Sequence, residues 1–274
     1  MNKEIVWLLK EKYKGKATSN FYKDVKRLEV GEPLDYVIGF TEFLGCKIDL
    51  SKRPLIPRPE TEFWVGEVIK NIKPFDSTQN KTLRALDMFA GSGCIGIATL
   101  KHIKNSRVVF SDIDKDNLKQ IKINCKLNNI NKNRYKIIES DVFKNIKGKY
   151  DYIFANPPYI PDYKRNPSTS LRATLLGRIQ KSVLKYEPKQ ALFGGEDGLL
   201  YIRKFLKEAK NYLNKQGPPL PVRQRANGVG ASIIYMEFDS LQKKEIEKLI
   251  KDNGYQNHQF YKDQYGKWRY IMIK

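Results

Sequence analysis

Short apolar segments alternate with amphipathic segments from residue 83 to the end of the chain. The apolar segments have the length of β-strands, and the segments between them carry apolar residues at the spacing of α-helices. The predicted strands are 83–88, 108–110, 135–138, 150–155, 233–238 and 268–273, and the predicted helices are 95–103, 118–127, 199–213 and 242–252. This alternation predicts an α/β fold with a doubly wound, mostly parallel sheet, in which ligands bind at the carboxyl ends of the strands.

The first 72 residues have a different pattern, which predicts a small helical domain with a hairpin. Two short segments carry apolar residues at helical spacing, and residues 36–50 then alternate between apolar and polar. A proline cluster precedes an amphipathic helix that begins near Thr61, and the polar residues 73–81 are typical of a linker. We therefore predict an N-terminal region of residues 1–72 and a sheet domain of residues 73–274.

Two stretches of the sheet domain differ in composition from their surroundings. Residues 167–178 and 218–232 favour Arg, Pro, Gly, Ala and Val, whereas the rest of the chain favours Lys, Asn, Ile and Tyr. We interpret both as surface insertions between core elements, near 165–180 and 218–232. Because long surface loops cost little loop-closure entropy, a tolerated insertion and a recognition loop both fit this composition.

The chain has a formal net charge of +21, from 51 Lys and Arg against 30 Asp and Glu. A charge of this size favours contact with nucleic acid or with a polyanionic assembly. A lysine-rich composition spread over every solvated face would give the same net charge. The charge therefore identifies no partner, although it leaves direct binding of nucleic acid open.

Cysteine, histidine and hydropathy narrow the class of protein further. Three cysteines without CxxC spacing and two isolated histidines predict neither a disulfide framework nor a metal site. No apolar run reaches the roughly 20 residues that cross a membrane, and the start of the sequence lacks the apolar block of a signal peptide. We therefore expect a cytoplasmic protein, without a membrane partner, that acts as a monomer.

A glycine-rich turn joins the first predicted strand of the sheet to the helix that follows. Its sequence is Asp87-Met88-Phe89-Ala90-Gly91-Ser92-Gly93-Cys94-Ile95-Gly96. Small residues let the backbone approach a ligand closely, and the start of a helix offers free N–H groups. The turn lacks the GxGxxG fingerprint of nicotinamide enzymes and the GK[ST] sequence that grips a triphosphate, which argues against a dehydrogenase and an NTPase.

Acidic residues follow the next two predicted strands. Asp112 ends the second strand about 21 residues after Gly91, a distance at which an acid can accept hydrogen bonds from ribose hydroxyls. Its neighbours Asp114 and Asp116 are expected to be solvated or to cap the following helix. Asp141 follows the third strand, where it could meet an adenine amino group or could cap a helix.

The tetrapeptide Asn156-Pro157-Pro158-Tyr159 follows the fourth predicted strand. Two consecutive prolines make the backbone rigid and remove two N–H donors, so that carbonyl oxygens remain free to accept. Asn156 adds another acceptor, and Tyr159 adds a flat face for stacking. A pocket of acceptors beside an aromatic ring suits a planar NH2 group. The alternative interpretation, a proline-rich turn that only ends a strand, fits poorly beside the glycine-rich turn upstream.

With these motifs in place, the chain from about Gly31 onward resembles the release factor glutamine methyltransferases, a family of class I methyltransferases. The segments that carry the resemblance are Gly31-Glu32-Pro33-Leu34-Asp35-Tyr36, Gly39, Glu42-Phe43, Ile56-Pro57-Arg58-Pro59-Glu60-Thr61-Glu62, Ser140-Asp141-Val142-Phe143, Asn156-Pro157-Pro158-Tyr159-Ile160, Tyr186-Glu187-Pro188, Ala191-Leu192 and Gly194-Gly195-Glu196-Asp197-Gly198-Leu199. Adenine-N6 methyltransferases share the NPPY motif, whereas the IPRPETE segment and the glycine-rich segment near residue 195 are more specific.

The resemblance implies a seven-stranded, Rossmann-like methyltransferase sheet and the cofactor S-adenosylmethionine, with S-adenosylhomocysteine as product. The implied cofactor-binding residues are Phe89, Ala90, Gly91, Ser92, Gly93, Asp112, Asp141, Val142 and Asn156. The implied substrate is the glutamine of the Gly-Gly-Gln motif in peptide chain release factors. Asn156, Pro157, Pro158 and Tyr159 would bind it, with Asn156, Pro157 and Tyr159 as the catalytic residues, and residues 1–72 would dock the protein substrate.

The chain differs from the family pattern in three places. Phe89-Ala90 replaces the usual Gly-Thr of the cofactor turn, the region before Gly31 is shorter than usual, and the two insertions have no counterpart that we recognise. Three other functions remain open from the residues alone. These are an adenine-N6 methyltransferase of DNA or RNA, a glutamine methyltransferase of a ribosomal protein, and a non-catalytic binding module that has kept only the fold.

Overall fold

The computed structural model describes residues 2–76, 82–162, 177, 179–214 and 232–274, and for residues 73–76 it describes the backbone only. Within these residues, no helix combines the length and the apolar character needed to span a membrane. The predicted insertions 167–178 and 218–232 lie outside the described residues, except for Gly177 and Ser232. The interpretation of both stretches therefore stays a prediction.

Seven strands form the main sheet, as the resemblance implied. They are β3 (Leu83–Met88), β4 (Ser106–Asp112), β5 (Tyr135–Glu139), β6 (Tyr152–Ala155), β7 (Ile233–Glu237), β8 (His258–Lys262) and β9 (Trp268–Ile273). Their spatial order is β5-β4-β3-β6-β7-β9-β8. The five strands from β5 to β7 are parallel, and β9 pairs antiparallel with both of its neighbours. The α/β class and the mostly parallel sheet are thus confirmed.

Helices cover both faces of this sheet. They are α4 (Pro59–Asp76), α5 (Cys94–His102), α6 (Lys115–Leu127), α7 (Lys181–Tyr186), α8 (Lys189–Leu192), α9 (Leu200–Glu208) and α10 (Lys243–Asp252). One apolar core joins α4, α5 and α6 to one face, and a second core joins α9 and α10 to the other. Alternate residues of β6 point into opposite cores, with Phe154 in the first and Ile153 in the second. Apolar residues on both faces explain why the strands read as continuous apolar runs.

The N-terminal region contains the predicted helices and hairpin. Helices α1 (Lys3–Glu11), α2 (Ser19–Glu29) and α3 (Leu34–Ile38) enclose a small apolar cluster of their own. Strands β1 (Phe40–Phe43) and β2 (Cys46–Asp49) form an antiparallel hairpin. The hairpin residues Phe43 and Ile48 and the α4 residue Trp64 belong to the core under the sheet. The boundary at residue 72 stays a prediction.

Three local expectations differ from the structure. Strand β8 was not predicted, because its sequence HQFYK contains no aliphatic residue, whereas the other edge strand, β5, contains two isoleucines. Helix α4 continues to Asp76, so the predicted linker begins later than residue 73. The predicted helix 199–213 is α9 followed by a 3₁₀ turn, Ala209–Tyr212.

The topology places the carboxyl ends of β3, β4, β5 and β6 side by side. The glycine-rich turn, Asp112, the segment after Glu139 and the NPPY motif follow these four strands in chain order. Parallel pairing brings their ends to one edge of the sheet, where crevices form in open α/β sheets. Helix α5 packs closely behind the glycine-rich turn, since a Cβ on Gly96 would overlap the ring of Phe110.

Candidate functional site

A cleft opens at the carboxyl ends of these strands. Its wall combines the residues after β3, β4, β5 and β6 with the loop that precedes α4. Its lining includes Arg58, Thr61, Phe89, Ala90, Gly91, Ser92, Asp112, Asp141, Val142, Asn156 and Pro158. A concave lining that is mostly apolar with a few polar groups suits a small ligand.

The glycine-rich turn adopts left-handed backbone conformations at three positions. The φ angles are 59° at Phe89, 54° at Gly91 and 80° at Gly93. Glycine accepts such angles at low cost, whereas Phe89 does so against its steric preference. The Ala90 N–H donates to the Ser111 carbonyl at 3.0 Å, which fixes the turn to the neighbouring strand. This geometry holds the small residues 90–92 against the cleft.

Asp112 is buried at the end of β4 and anchors the turn. Its Oδ2 accepts the Gly91 N–H at 2.8 Å, and its Oδ1 accepts the Asp114 N–H at 2.9 Å and the Asn117 side-chain amide at 3.2 Å. Burial raises the pKa of the carboxyl, and the hydrogen bonds from Asp114, Gly91 and Asn117 act in the opposite direction. Asp114 caps α6 as predicted, because its side chain accepts the Asp116 N–H.

Asp87 lies fully buried beneath the turn and was not predicted as a site residue. Its Oδ2 accepts the Gly96 N–H at 2.9 Å, and no described residue donates to its Oδ1. Burial raises the pKa of Asp87 to about 8, the Gly96 hydrogen bond lowers it, and the charge of Asp112 raises it. Asp87 does not line the cleft, so we assign it a structural contact with the first turn of α5.

Asp141 and Val142 form the wall after β5. Asp141 is exposed at the rim of the cleft, 3.5 Å from Lys204 on α9. The residues after it form a turn, so the alternative that Asp141 caps a helix is wrong. Val142 is buried with a φ of 48°, a conformation that a β-branched residue rarely adopts. A hydrogen bond from Ser140 Oγ to the Val142 carbonyl at 2.7 Å stabilises this turn.

The NPPY tetrapeptide lies between the cleft and a second cavity. Pro158 lines the cleft, Pro157 and Tyr159 line the second cavity, and Asn156 lines both. The Asn156 Nδ2 donates to Thr61 Oγ1 at 3.4 Å. Among the described residues, none donates to the Asn156 side-chain oxygen or to the Pro157 carbonyl. Two acceptors therefore remain available where the two cavities meet.

The second cavity contains charged residues that the sequence did not mark as functional. Arg58 directly precedes α4, and Glu60 lies in its first turn. Asp239 follows β7, Lys267 precedes β9, and Arg269 lies in β9. These segments are far apart along the chain and meet only through the sheet topology. Their charges make this cavity more polar than the cleft. Glu60 and Arg58 could have been found from the IPRPETE segment, whereas the other three follow no motif.

Glycines brace the NPPY backbone from behind. A Cβ on Gly194 would overlap the Pro158 carbonyl, and a Cβ on Gly198 would overlap the Tyr159 carbonyl. Gly198 also has a φ of 75°, and the side-chain amide of Gln242 donates to the Tyr159 carbonyl at 2.9 Å. The glycine-rich segment near residue 195 therefore serves close packing against the tetrapeptide.

A buried ion pair joins two of the segments that carry the resemblance. The Glu187 carboxylate accepts from Arg58 at 2.6 Å and from the Ile56 N–H at 3.2 Å. Burial raises the pKa of Glu187, and the nearby Arg58 guanidinium lowers it. This pair fixes the loop before α4 at the mouth of both cavities, since Arg58 lines each of them.

The structure brings the predicted site residues together at one edge of the sheet. The residues that line the cleft are Phe89, Ala90, Gly91, Ser92, Asp112, Asp141, Val142, Asn156 and Pro158. Gly93 lines neither cavity and serves as the N-cap of α5. Within the described part of the chain, no group of three or more His, Cys, Asp or Glu side chains is placed to hold a metal ion.

Comparisons with known proteins agree on one class. Residues 72–174 match the family model described as the methyltransferase small domain. The chain is 32% identical over 244 residues to a release factor glutamine methyltransferase of Thermodesulfovibrio yellowstonii, which covers 89% of this chain and 76% of that protein. It is 31% identical over 267 residues to the protein of the same name from Lactococcus lactis subsp. lactis, covering 97% and 86%.

Among solved structures, this chain resembles a ribosomal protein L11 methylase from Lactobacillus delbrueckii subsp. bulgaricus. The TM-score is 0.51 at 17% identity, and the match covers 83% of each chain. At this identity the likeness shows the fold alone.

Proposed function

Since this chain belongs to the family of release factor glutamine methyltransferases, we propose that it methylates the glutamine of the Gly-Gly-Gln motif in a peptide chain release factor. Membership of the family makes the chain an S-adenosylmethionine-dependent protein methyltransferase. The specific acceptor, the product N5-methylglutamine and the roles of individual residues are our proposal.

The cleft fits S-adenosylmethionine by the chemistry of its groups. Asp112 Oδ2 accepts one N–H, from Gly91, and a carboxylate oxygen has capacity for about one more hydrogen bond, as a ribose hydroxyl would supply. Asp141 offers an exposed acceptor for an amino group at the rim. The small residues 90–92 leave room for a ligand close to the backbone. When bound, S-adenosylmethionine would supply an electrophilic methyl group on a positively charged sulfur.

The acceptor glutamine would enter through the second cavity. Its amide nitrogen is a poor nucleophile, because the lone pair is delocalised into the carbonyl. Asn156 Oδ1 and the Pro157 carbonyl would accept its two N–H groups and hold it at the boundary with the cleft. The Tyr159 ring would pack against the amide plane. Orientation of this kind is worth about 7–11 kcal/mol in favourable cases.

The same two acceptors would stabilise the transition state. As the new N–C bond forms, positive charge develops on the nitrogen, and acceptors already in place stabilise it without reorganisation. No general base is assigned, because a cationic amide nitrogen is strongly acidic and its proton passes to water.

The observation that carries this proposal is the position of Asn156 between the two cavities. A substrate nitrogen that is held at Asn156 from the second cavity would therefore face the cleft. Its two neighbouring acceptors receive no hydrogen bond from the described residues, and they match a primary amide that must donate two.

The test is transfer of labelled methyl from S-adenosylmethionine to a purified release factor, followed by fragment mass spectrometry of the labelled peptide. The control is a release factor whose Gly-Gly-Gln glutamine is replaced by alanine. We expect label on the glutamine side chain of the first protein and none on the second. Label on another residue, or on ribosomal protein or nucleic acid but not on the release factor, would refute the assignment.

A further inference from the structure

A buried carboxylate lies directly behind the NPPY tetrapeptide. Glu237 ends β7, the neighbour of β6, and its side chain is 1% exposed. Its Oε2 accepts from Thr61 Oγ1 at 2.6 Å and from Trp64 Nε1 at 2.8 Å, both on α4. Its Oε1 accepts from the Tyr159 hydroxyl at 3.3 Å. Glu237 lines neither cavity, so it reaches the site only through other residues.

These contacts fix the direction of the Thr61 hydroxyl. An indole N–H can only donate, so Trp64 occupies one lone pair of Oε2. The Thr61 hydroxyl occupies the other lone pair and has a single hydrogen to give. The Thr61 oxygen therefore presents only lone pairs to its other neighbour, which is Asn156.

The orientation of the Asn156 amide follows from that of Thr61. Only the NH2 end of the amide can meet a lone pair, and Nδ2 lies 3.4 Å from Thr61 Oγ1. The side-chain oxygen of Asn156 is then turned toward the boundary between the cavities. The reversed amide would place an oxygen against the Thr61 lone pairs and an NH2 group against the NH2 of the acceptor, so that neither contact forms.

We infer that Glu237 is a positioning residue for methyl transfer, which orients the Asn156 amide through Thr61 and holds Tyr159 through its second oxygen. This inference rests on the proposed function, because it concerns how Asn156 meets the acceptor nitrogen. One carboxylate on the neighbouring strand thereby controls the first and the last residue of the tetrapeptide.

The arrangement requires that Oε2 of Glu237 carries no proton, so that it accepts from both Thr61 and Trp64. Burial raises the pKa of this carboxyl, whereas the hydrogen bonds from Thr61 and Trp64 and the charge of Arg269 lower it. A proton on Oε1, on the side of Tyr159, leaves this pattern unchanged, whereas a proton on Oε2 would reverse the hydrogen bond with Thr61.

The test replaces Thr61 with Val, which keeps the shape and removes the hydroxyl, and with Ser, which keeps the hydroxyl. For Thr61→Val we expect kcat for release factor methylation to fall by about tenfold or more, because misplacement of a reacting group by a fraction of an ångström has effects of this order. The variant should still unfold cooperatively, with a lower melting temperature because the hydrogen bond to the Glu237 carboxylate is lost. Thr61→Ser should restore kcat to within about twofold. Equal activity of Thr61→Val and wild type, or equal loss in both variants, would overturn the inference.

A second measurement tests the orientation of the Asn156 amide without the release factor. The side-chain NH2 signals of Asn156 in an ¹⁵N correlation spectrum can be assigned by their loss in Asn156→Asp. We expect both signals to shift in Thr61→Val and to stay near their wild-type positions in Thr61→Ser. Unchanged signals in Thr61→Val would overturn the inference, whereas absence of release factor methylation by the wild type would refute the proposed function alone.

A third variant separates hydrogen bonding from charge. In Glu237→Gln, the amide oxygen can still accept from Thr61 and Trp64, so kcat should stay within about threefold of wild type. A loss as large as that of Thr61→Val, with the Asn156 signals unchanged, would contradict orientation through Thr61.

Discussion

The cleft and the second cavity are built in different ways, although Asn156 and Arg58 line both. The cleft is formed by turns that directly follow four adjacent parallel strands, and its polar groups are largely satisfied by the backbone of those turns. The second cavity collects charged side chains from segments that are distant in the sequence. The order of the parallel strands brings the turns of the cleft together. The charged residues of the second cavity come together only because loops pack over the sheet.

This difference predicts two separable sets of effects. Changes in the cleft should alter the affinity for S-adenosylmethionine, and changes on the side of the second cavity should alter turnover. Asn156 lines both cavities, but its side-chain oxygen would accept a hydrogen bond only from the substrate that receives the methyl group.

Replacement of Asn156 by Ala has the largest expected effect. Loss of one positioned hydrogen-bonding group typically lowers kcat by about 10²–10³, and we expect a decrease of that size here. The dissociation constant of S-adenosylmethionine, measured by titration calorimetry, should change by less than about threefold, because Asp112 and residues 89–93 stay in place. If both quantities collapse together, Asn156 has a structural role and the separation of the two sides is wrong.

Replacement of Asp112 by Ala should affect the cleft alone. The change removes the acceptor for the ribose and leaves the Gly91 and Asp114 N–H groups without their partner. Hydrogen bonds to a charged group contribute about 1.5–3 kcal/mol, so we expect affinity for S-adenosylmethionine to fall by about 10–100-fold. Asp116→Ala is the matched control, since Asp116 is exposed in the first turn of α6, close in sequence to Asp112, and its carboxylate pairs with Lys119. An equal loss in both variants would count against the assignment of Asp112.

Replacement of Gly198 by Ala should affect turnover more than cofactor binding. The new Cβ would displace the Tyr159 carbonyl, and we expect kcat to fall by about tenfold with little change in affinity for S-adenosylmethionine. Gly254→Ala is the control, because Gly254 has a nearly equal φ of 73° and a Cβ there would meet only the end of the Lys210 side chain at 3.8 Å. Both variants carry the same backbone strain, so equal losses of activity would show that strain, not displacement of the tetrapeptide, is responsible.

Asp87 should affect stability and not the separation of cofactor affinity from turnover. Its pKa is raised to about 8 in the folded protein, against about 4 in the unfolded chain. Between these values the unfolded state loses its proton first, so the contribution of Asp87 to stability decreases as the pH rises from about 4 to about 8. The melting temperature of Asp87→Asn should therefore rise relative to wild type over this range. A difference between the two proteins that is independent of pH would show that Asp87 is ionised in the fold.

The cleft could be predicted from the sequence because its residues directly follow strands, and the strands can be located from local patterns. A strand that ends in a small-residue turn or an acid identifies a site at the sheet edge, and this rule predicted residues 89–92, Asp112 and Asn156, which line the cleft. Glu237 could have been found by the same rule, since it ends the apolar strand 233–237. The position of Glu237 at a strand end could thus be predicted from the sequence, but the residues that it contacts could not.

Tertiary packing explains what the sequence did not reveal. Thr61 contacts Glu237 and Asn156 only because α4 packs beside β7 and β6, at separations of 176 and 95 residues along the chain. The left-handed conformation of Val142 opposes the preference of a β-branched residue, so no local rule predicts it. Edge strand β8 contains no aliphatic residue, so no apolar run predicts a strand there.

The most direct test of this account is a crystal structure of the protein with S-adenosylhomocysteine and a peptide that contains Gly-Gly-Gln. We predict the nucleoside beside Asp112 in the cleft and the glutamine in the second cavity, with its amide nitrogen donating to Asn156 Oδ1 and to the Pro157 carbonyl. A glutamine bound elsewhere, or an Asn156 amide that presents its NH2 group to the peptide, would contradict the central claim that the two cavities meet for methyl transfer at Asn156.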